Sequence, residues 1–355
     1  MDTLKWIQGL YDHYAQVEEI NNYYGLMANY ALVQCAWEGQ DEELKNRCRL
    51  LLSRWPHEVQ HPSYNFACYR LGGNAAAWAD MVGFHKRAEE ELRSFCEQTM
   101  QGPKEKSGLL CMPGMQEQGA VWIDTLFAVT PFMLFSGLSL RESKYIDFAV
   151  DQCLRMIEAL RDQSCGLLHQ CRGFLSDPAA CSQDHWSRGN GWGYAALAEV
   201  IQYLPKGHPQ RWKAEDLFLS LSSKLLPYQT EKGLWRQEIT EPLSWEESSG
   251  TALILYGMGI GIRCGLLRTE GYLRSFADGI QGLLKHCIHP DFSTELSCPG
   301  CLCPGEGAEK GTIQAYITEK LPARDEHHSF GAFMLALVEA YRNGIVEVDF
   351  REETK

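Results

Sequence analysis

Six segments of this chain are apolar on nearly every side and rich in glycine, alanine and serine. Each opens at a loop carrying polar and aromatic residues, and each is followed by a more charged, amphipathic segment. The six begin near residues 24, 74, 124, 188, 249 and 329, at intervals of roughly 50–80 residues. A helix that is apolar all round has to be buried all round, and small residues let its neighbours approach. An amphipathic helix needs only one apolar stripe. A repeated helical hairpin closing on itself meets both demands, with six inner helices wrapped by six outer ones. The pattern predicts an all-α fold, an (α/α)6 barrel, in one domain spanning residues 1–355. The loops leading into the inner helices then converge on one mouth.

Within that frame the spacing predicts helices over 3–16, over a second stretch ending at Gly39, and over 41–54, Asn74–Lys86 and 87–100. Further helices are expected over Asp124–Phe135, 142–161, 208–228 and 269–287, with SFGAFMLALVEAYRNG closing the chain. Loops are expected at HPSYNFACYRLGG, 102–119 and 288–327. No alternating strand pattern runs longer than four or five residues.

A hydrophobic fraction of 45% supports a sizeable core, and the longest apolar runs are broken by charge or glycine before they could span a bilayer. The opening MDTLKWIQGLYDHY lacks the basic, apolar and small-residue pattern of a signal peptide. Fourteen cysteines are scattered through helical patterns, Cys35, Cys48, Cys68, Cys96, Cys153 and Cys264 among them, as small buried hydrophobes. The expected compartment is therefore the reducing cytoplasm. A net charge of −13 argues against nucleic acid or an anionic membrane as partner. It also means that an anionic substrate needs a local cationic pocket. Oligomeric state stays open.

The mouth is where chemistry is expected. In VWIDTLFAVTPFM, Asp124 sits in an apolar run at the start of the stripe Trp122, Leu126, Val129 and Met133. Such a carboxylate either caps a buried helix or faces a cavity, where desolvation would raise its pKa toward that of a general acid. Other starts contribute Tyr24 and Asn74, then His169 and Trp186, then Arg188 and Trp192, then Trp235 and Ser248, and finally His327. Rings that stack on sugar faces, beside groups that read hydroxyls, describe a carbohydrate cleft, and one arginine would suit a uronic acid. Each residue also has a plainer reading. Arg188 could pair with Asp184 or Asp177, GNGWG could be a close-packed helix start, and the tryptophans could be core. Cys298-x-x-Cys301, with Cys287 and His289, has metal-knuckle spacing but lacks a second CxxC. A catalytic triad, a phosphate loop and a nucleotide fingerprint are missing from the sequence, and neither cofactor nor metal is expected.

Four segments, VWIDTLFAVTPFM, HWSRGNGWGYAALAEVI, GLWRQEITEPLSWEESSGTALILYGMGIGIRCGLL and DEHHSFGAFMLALVEA, resemble glycoside hydrolase families 88 and 105 in the family's order. These are the unsaturated glucuronyl and rhamnogalacturonyl hydrolases. The resemblance implies the same barrel and a substrate ending in the 4,5-unsaturated uronic acid that polysaccharide lyases leave. It implies hydration of that double bond by one protonated Asp, with Asp124 in the acid/base position. His169 would then lie beside the substrate, Arg188 would bind the uronate carboxylate, and Trp192 and Tyr24 would line the sugar site. One departure stands out: RLGGNAAAWAD carries Asn74 where many members have a second Asp, and Asp80 lies further in. Two other enzyme readings stay open, a sugar epimerase using His169 and His327 as bases and a zinc enzyme on the Cys298–Cys303 loop. A binding protein that has lost catalysis is the reading from another class.

Overall fold

The computed structural model describes residues 2–18, 23–39, 41–54 and 73–348. Its first helices are α1 (Thr3–Val17), α2 (Tyr23–Gly39), α3 (Glu42–Ser53), α4 (Gly73–Met81) and α5 (Glu89–Met100). Then come α6 (Asp124–Leu140), α7 (Ser143–Leu160), α8 (Ser187–Tyr203) and α9 (Arg211–Leu225). The last are α10 (Ser248–Arg263), α11 (Glu270–His286), the short α12 (Ile313–Glu319) and α13 (His327–Arg342).

Small residues decide which of these go inside. Along α6 every residue from Asp124 to Gly137 is buried, and along α10 every residue from Ser248 to Gly261. By contrast, α7 buries one stripe, including Tyr145, Ile146, Ala149, Val150 and Cys153. Helices α2, α4, α6, α8, α10 and α13 each pack on the next, and α13 returns to α2. That closes an inner ring of six, an (α/α)6 barrel.

The outer ring departs from the expected order at one place. Helices α3, α5, α7, α9 and α11 each follow an inner helix, but the sixth outer helix is α1. It packs on α13 from the opposite end of the chain. Thr3 fastens it there, its amide donating to the Val346 carbonyl at 3.0 Å and its hydroxyl to that of Ile345 at 2.8 Å.

Two helices differ in length from their predicted spans. α4 stops at Met81, five residues early, where Asp80 turns the chain by accepting from the Arg87 amide at 2.8 Å. α6 runs past Phe135 to Leu140 and carries Pro131 inside it. Two short antiparallel ladders, β1 (Val121–Trp122) with β2 (Cys171–Arg172) and β3 (Trp235–Arg236) with β4 (Glu246–Glu247), flank the starts of α6 and α10. All thirteen described cysteines are free thiols. Cys68 and most of the HPSYNFACYRLGG loop lie outside the described residues. No described helix is long and apolar enough to cross a membrane.

Candidate active site

The start of α6 is fixed by the ladder before it. Trp122 pairs with Cys171, and the Ile123 amide donates to the Gln170 carbonyl at 2.9 Å, which leaves Asp124 as the first helical residue. Gly173 makes this approach possible: its φ is +85°, and a Cβ there would meet the Ala120 backbone at 2.7 Å.

Four inner helices then build one narrow cleft. Helix α2 supplies Tyr23, Leu26 and Met27; α4 supplies Asn74; α6 supplies Asp124, Phe127 and Ala128; and α8 supplies Trp192. Asp124 is 6% exposed. Asn74 donates from Nδ2 to the Phe127 carbonyl at 3.1 Å, and its Oδ1 remains as a buried acceptor without a partner among the described residues. The Trp192 indole N–H is likewise buried and without a partner among the described residues, and its ring packs at 5.5 Å from that of Phe127. An unmatched acceptor, an unmatched donor and a carboxyl on one concave wall suit a polyhydroxylated ligand.

Behind Tyr23 runs a chain of polar groups. The Tyr23 hydroxyl bonds His328 Nε2, and His328 Nδ1 lies 2.8 Å from a Glu326 carboxylate oxygen. Carboxylate oxygens only accept, so Nδ1 carries the proton and Nε2 accepts from Tyr23. Burial pushes the His328 imidazole down to about 4, with the Arg188 charge acting in the same direction. Burial opposes ionisation of Glu326, but the field and hydrogen bonds of His328 and the Arg188 guanidinium outweigh it and hold the carboxyl at about 2.

Arg188 does not open onto the cleft. It is fully buried and donates to Ser249 Oγ at 3.0 Å, to the Cys298 carbonyl and to the Pro299 carbonyl at 2.9 Å. Its guanidinium lies 4.6 Å over the Trp186 ring. The Glu247 side chain organises the same corner. It caps α10 through the Ser249 and Gly250 amides, and accepts from the Cys298 amide at 3.0 Å and the Ser187 hydroxyl at 2.9 Å. The acid-Ser-Ser-Gly start of α10 is thus a cap. Gly250 is needed because a Cβ would meet the Arg188 amide nitrogen at 2.5 Å.

Of the residues expected at the mouth, Asp124, Asn74 and Trp192 share the cleft. Tyr24 is half-buried beside it, its ring 3.9 Å from that of Tyr23 and 5.2 Å from that of His327. Trp122, Trp186, Trp235 and Ser248, expected to contact sugar, are buried in the packing and lie outside the cleft lining. The Trp235 indole donates to the Leu225 carbonyl at 2.8 Å, into the outer layer. His169 lies outside the cleft lining and stacks on His185 with ring centroids 5.3 Å apart. Asp80 does not stand in for a second acid at the mouth, since it bonds Ser139 at the other end of α6. Cys287, Cys298, Cys301 and His289 form no metal cluster among the described residues. Sequence reading missed Leu26, Met27, Phe127 and Glu326. The i+3 and i+4 neighbours of Tyr23 and Asp124 on one helix face were the available signal for the first three.

The family model for Glycosyl Hydrolase Family 88 matches residues 76–344. An unsaturated 3S-rhamnoglycuronyl hydrolase of Alteromonas sp. (strain LOR) is 26% identical over 152 residues, covering 42% of this chain and 37% of the relative. An enzyme of the same description from Formosa agariphila is 27% identical over 180 residues, covering 48% of this chain and 47% of its own length. The matches thus span less than half of these relatives. A solved family 105 glycoside hydrolase from C. acetobutylicum superposes with a TM-score of 0.78 at 18% identity, covering 96% of this chain and 100% of that one. The unsaturated glucuronyl hydrolase of Bacillus sp. GL1 superposes with a TM-score of 0.65 at 15% identity, covering 93% and 88%.

Proposed function

Because the chain belongs to Glycosyl Hydrolase Family 88, we propose that it removes a 4,5-unsaturated uronic acid from the non-reducing end of lyase-generated oligosaccharides. Asp124 is the acid and base. The observation that carries this reading is that Asp124, the Asn74 acceptor and the Trp192 donor line one narrow cleft.

Protonated Asp124 delivers its proton to C4 of the vinyl ether, and the electrons of the double bond form the new C–H bond. Positive charge then gathers at C5 and the ring oxygen. Water adds its oxygen to C5 and returns a proton to the Asp124 carboxylate, and the hemiketal so formed opens to release the remaining sugar. A single carboxyl therefore completes the cycle, unlike the two-carboxylate displacement of most glycosidases. Asn74 Oδ1 accepts from a sugar hydroxyl or from the incoming water, and the Trp192 N–H donates to the substrate. Arg188, one turn before Trp192 on α8, acts as positive charge behind the wall rather than as a direct ligand.

The test is a screen of unsaturated disaccharides from pectin, glycosaminoglycan and gellan lyase digests, followed by the ultraviolet absorbance of the conjugated double bond. Loss of absorbance with wild type supports the reading. Tight binding with no loss on any of the three would instead favour a binding protein without catalysis, a role consistent with Asn74 standing where a second acid is common.

A further inference from the structure

We propose that Asp162, Cys165, His169 and His185 form a binding site for a divalent transition metal, zinc in character, on the shoulder of the barrel outside the cleft. Ligand atoms of Asp162, His169 and His185 all lie within 4.8 Å of one another. His185 Nε2 is 3.0 Å from Asp162 Oδ2 and 3.4 Å from Cys165 Sγ. Bonds of about 2.0–2.3 Å in a tetrahedral shell place neighbouring ligand atoms about 3.3–3.8 Å apart. His185 Nε2 already keeps that spacing from Cys165 Sγ, while the Asp162, His169 and His185 atoms would settle to it from within 4.8 Å, with Cys165 turning in as the fourth ligand.

The second nitrogens of both imidazoles are already held. His169 Nδ1 lies 3.2 Å from the Asp184 carbonyl, which can only accept, so the proton sits on Nδ1 and Nε2 keeps its lone pair. His185 Nδ1 lies 3.0 Å from Thr240 Oγ1, with a Glu238 carboxylate oxygen at 3.9 Å. An imidazole anchored in this way, by a carbonyl or by a hydroxyl and carboxylate, is the usual support of a metal-binding histidine. In the metal-free chain His185 Nε2 donates its proton to Asp162, and a cation would take the place of that proton among the carboxylate, the sulfur and the His169 Nε2 lone pair.

The segment that carries three of the four is pinned by its own hydrogen bonds. The Asp162 amide donates to Leu167, the Gly166 amide returns to Asp162 at 2.8 Å, and the His169 amide donates to Leu160 at 2.8 Å. The ligands fall at i, i+3 and i+7 in DQSCGLLH, with His185 arriving from the approach to α8. Two imidazoles, a thiolate and one carboxylate favour zinc or cobalt over magnesium or calcium. The next residue, Gln170, holds the Ile123 amide, so an ion here would brace the backbone that seats Asp124 without touching the cleft. The site stands apart from the sugar chemistry proposed above.

The test uses the untagged chain, incubated with micromolar zinc, dialysed and assayed by mass spectrometry, then repeated with cobalt and read by absorption. About one zinc per chain is expected. His169→Gln and His185→Gln should fall at least tenfold in retained metal. Cys165→Ser, the mildest change, should keep the visible cobalt bands but lose the near-ultraviolet thiolate-to-cobalt band. Circular dichroism checks that each variant is folded, and a variant that fails this check is replaced by Asp162→Asn, for which the same tenfold loss is expected. Less than a tenth of an equivalent in wild type, or metal retained equally in the histidine variants, overturns the proposal.

Discussion

Asn74 donates its amide nitrogen to the Phe127 carbonyl at 3.1 Å, which leaves its buried oxygen as an acceptor beside the cleft that Asp124 also lines. The contact joins α4 to α6 across the mouth. It also limits Asn74 to accepting, because its donor is committed. Removing the side chain in Asn74→Ala takes away one acceptor from the substrate while Asp124 stays. The expected result is a fall in kcat/KM of about tenfold, mostly through KM, the worth of one hydrogen bond of about 1.4 kcal/mol. Steady-state kinetics on a cleaved disaccharide decides it, and a thousandfold loss in kcat would move Asn74 into the proton chemistry.

Asp124→Asn keeps the shape and volume of the side chain and removes its proton. Thermal unfolding should stay within a few degrees of wild type, while turnover falls by about 10³-fold or more. Undiminished loss of double-bond absorbance would remove Asp124 from its role.

Acid should destabilise the barrel through His328. The folded state holds this imidazole at about 4 against an unfolded 6.5, so between those values the unfolded chain binds the extra proton. Stability is therefore complete above about pH 6.5 and declines as pH falls toward 4, by roughly 3 kcal/mol at most. Glu326, held at about 2 against 4.5, adds a second decline below pH 4.5. Urea midpoints measured from pH 7 to 4 should show a shallower slope in His328→Gln. Equal slopes would place the proton uptake elsewhere.

Glu247 accepts from three backbone amides and the Ser187 hydroxyl, all buried. Glu247→Ala leaves those donors without a partner and frees the Cys298 amide beside Arg188. A loss of about 3–5 kcal/mol is expected from urea denaturation. A loss below about 1 kcal/mol would mean that the corner rearranges to satisfy its donors.

The ring of inner helices was legible because burial on all sides imposes a composition, and Ala75, Ala76, Ala77 and Ala79 of α4 show it directly. Asp124 stood out for the converse reason, a charge where that composition forbids one. Trp192 was found as an aromatic at the start of an inner helix and through the family resemblance. The roles of Arg188, Trp186 and Trp235 were not legible, since they depend on where the 298–299 carbonyls and the β3–β4 ladder come to rest. Those loops carry no periodicity. The Asp162–His185 group was hidden for a similar reason: its members are 23 residues apart, joined by a turn rather than by a helix face.

The attachment of Thr3 to Ile345 and Val346 also orders the making of the molecule. On a ribosome, α1 emerges before the rest of the ring, yet the surface it covers on α13 is synthesised after the other ring helices. Until then its apolar face, with Trp6, Ile7 and Leu10, has half a partner, and the toroid stays open at one seam. The bridge between Asp2 and Glu347 puts these two stretches side by side. A permuted chain that joins them through a short linker and begins instead before α7 would convert this closure, 342 residues apart in sequence between Thr3 and Ile345, into a local one.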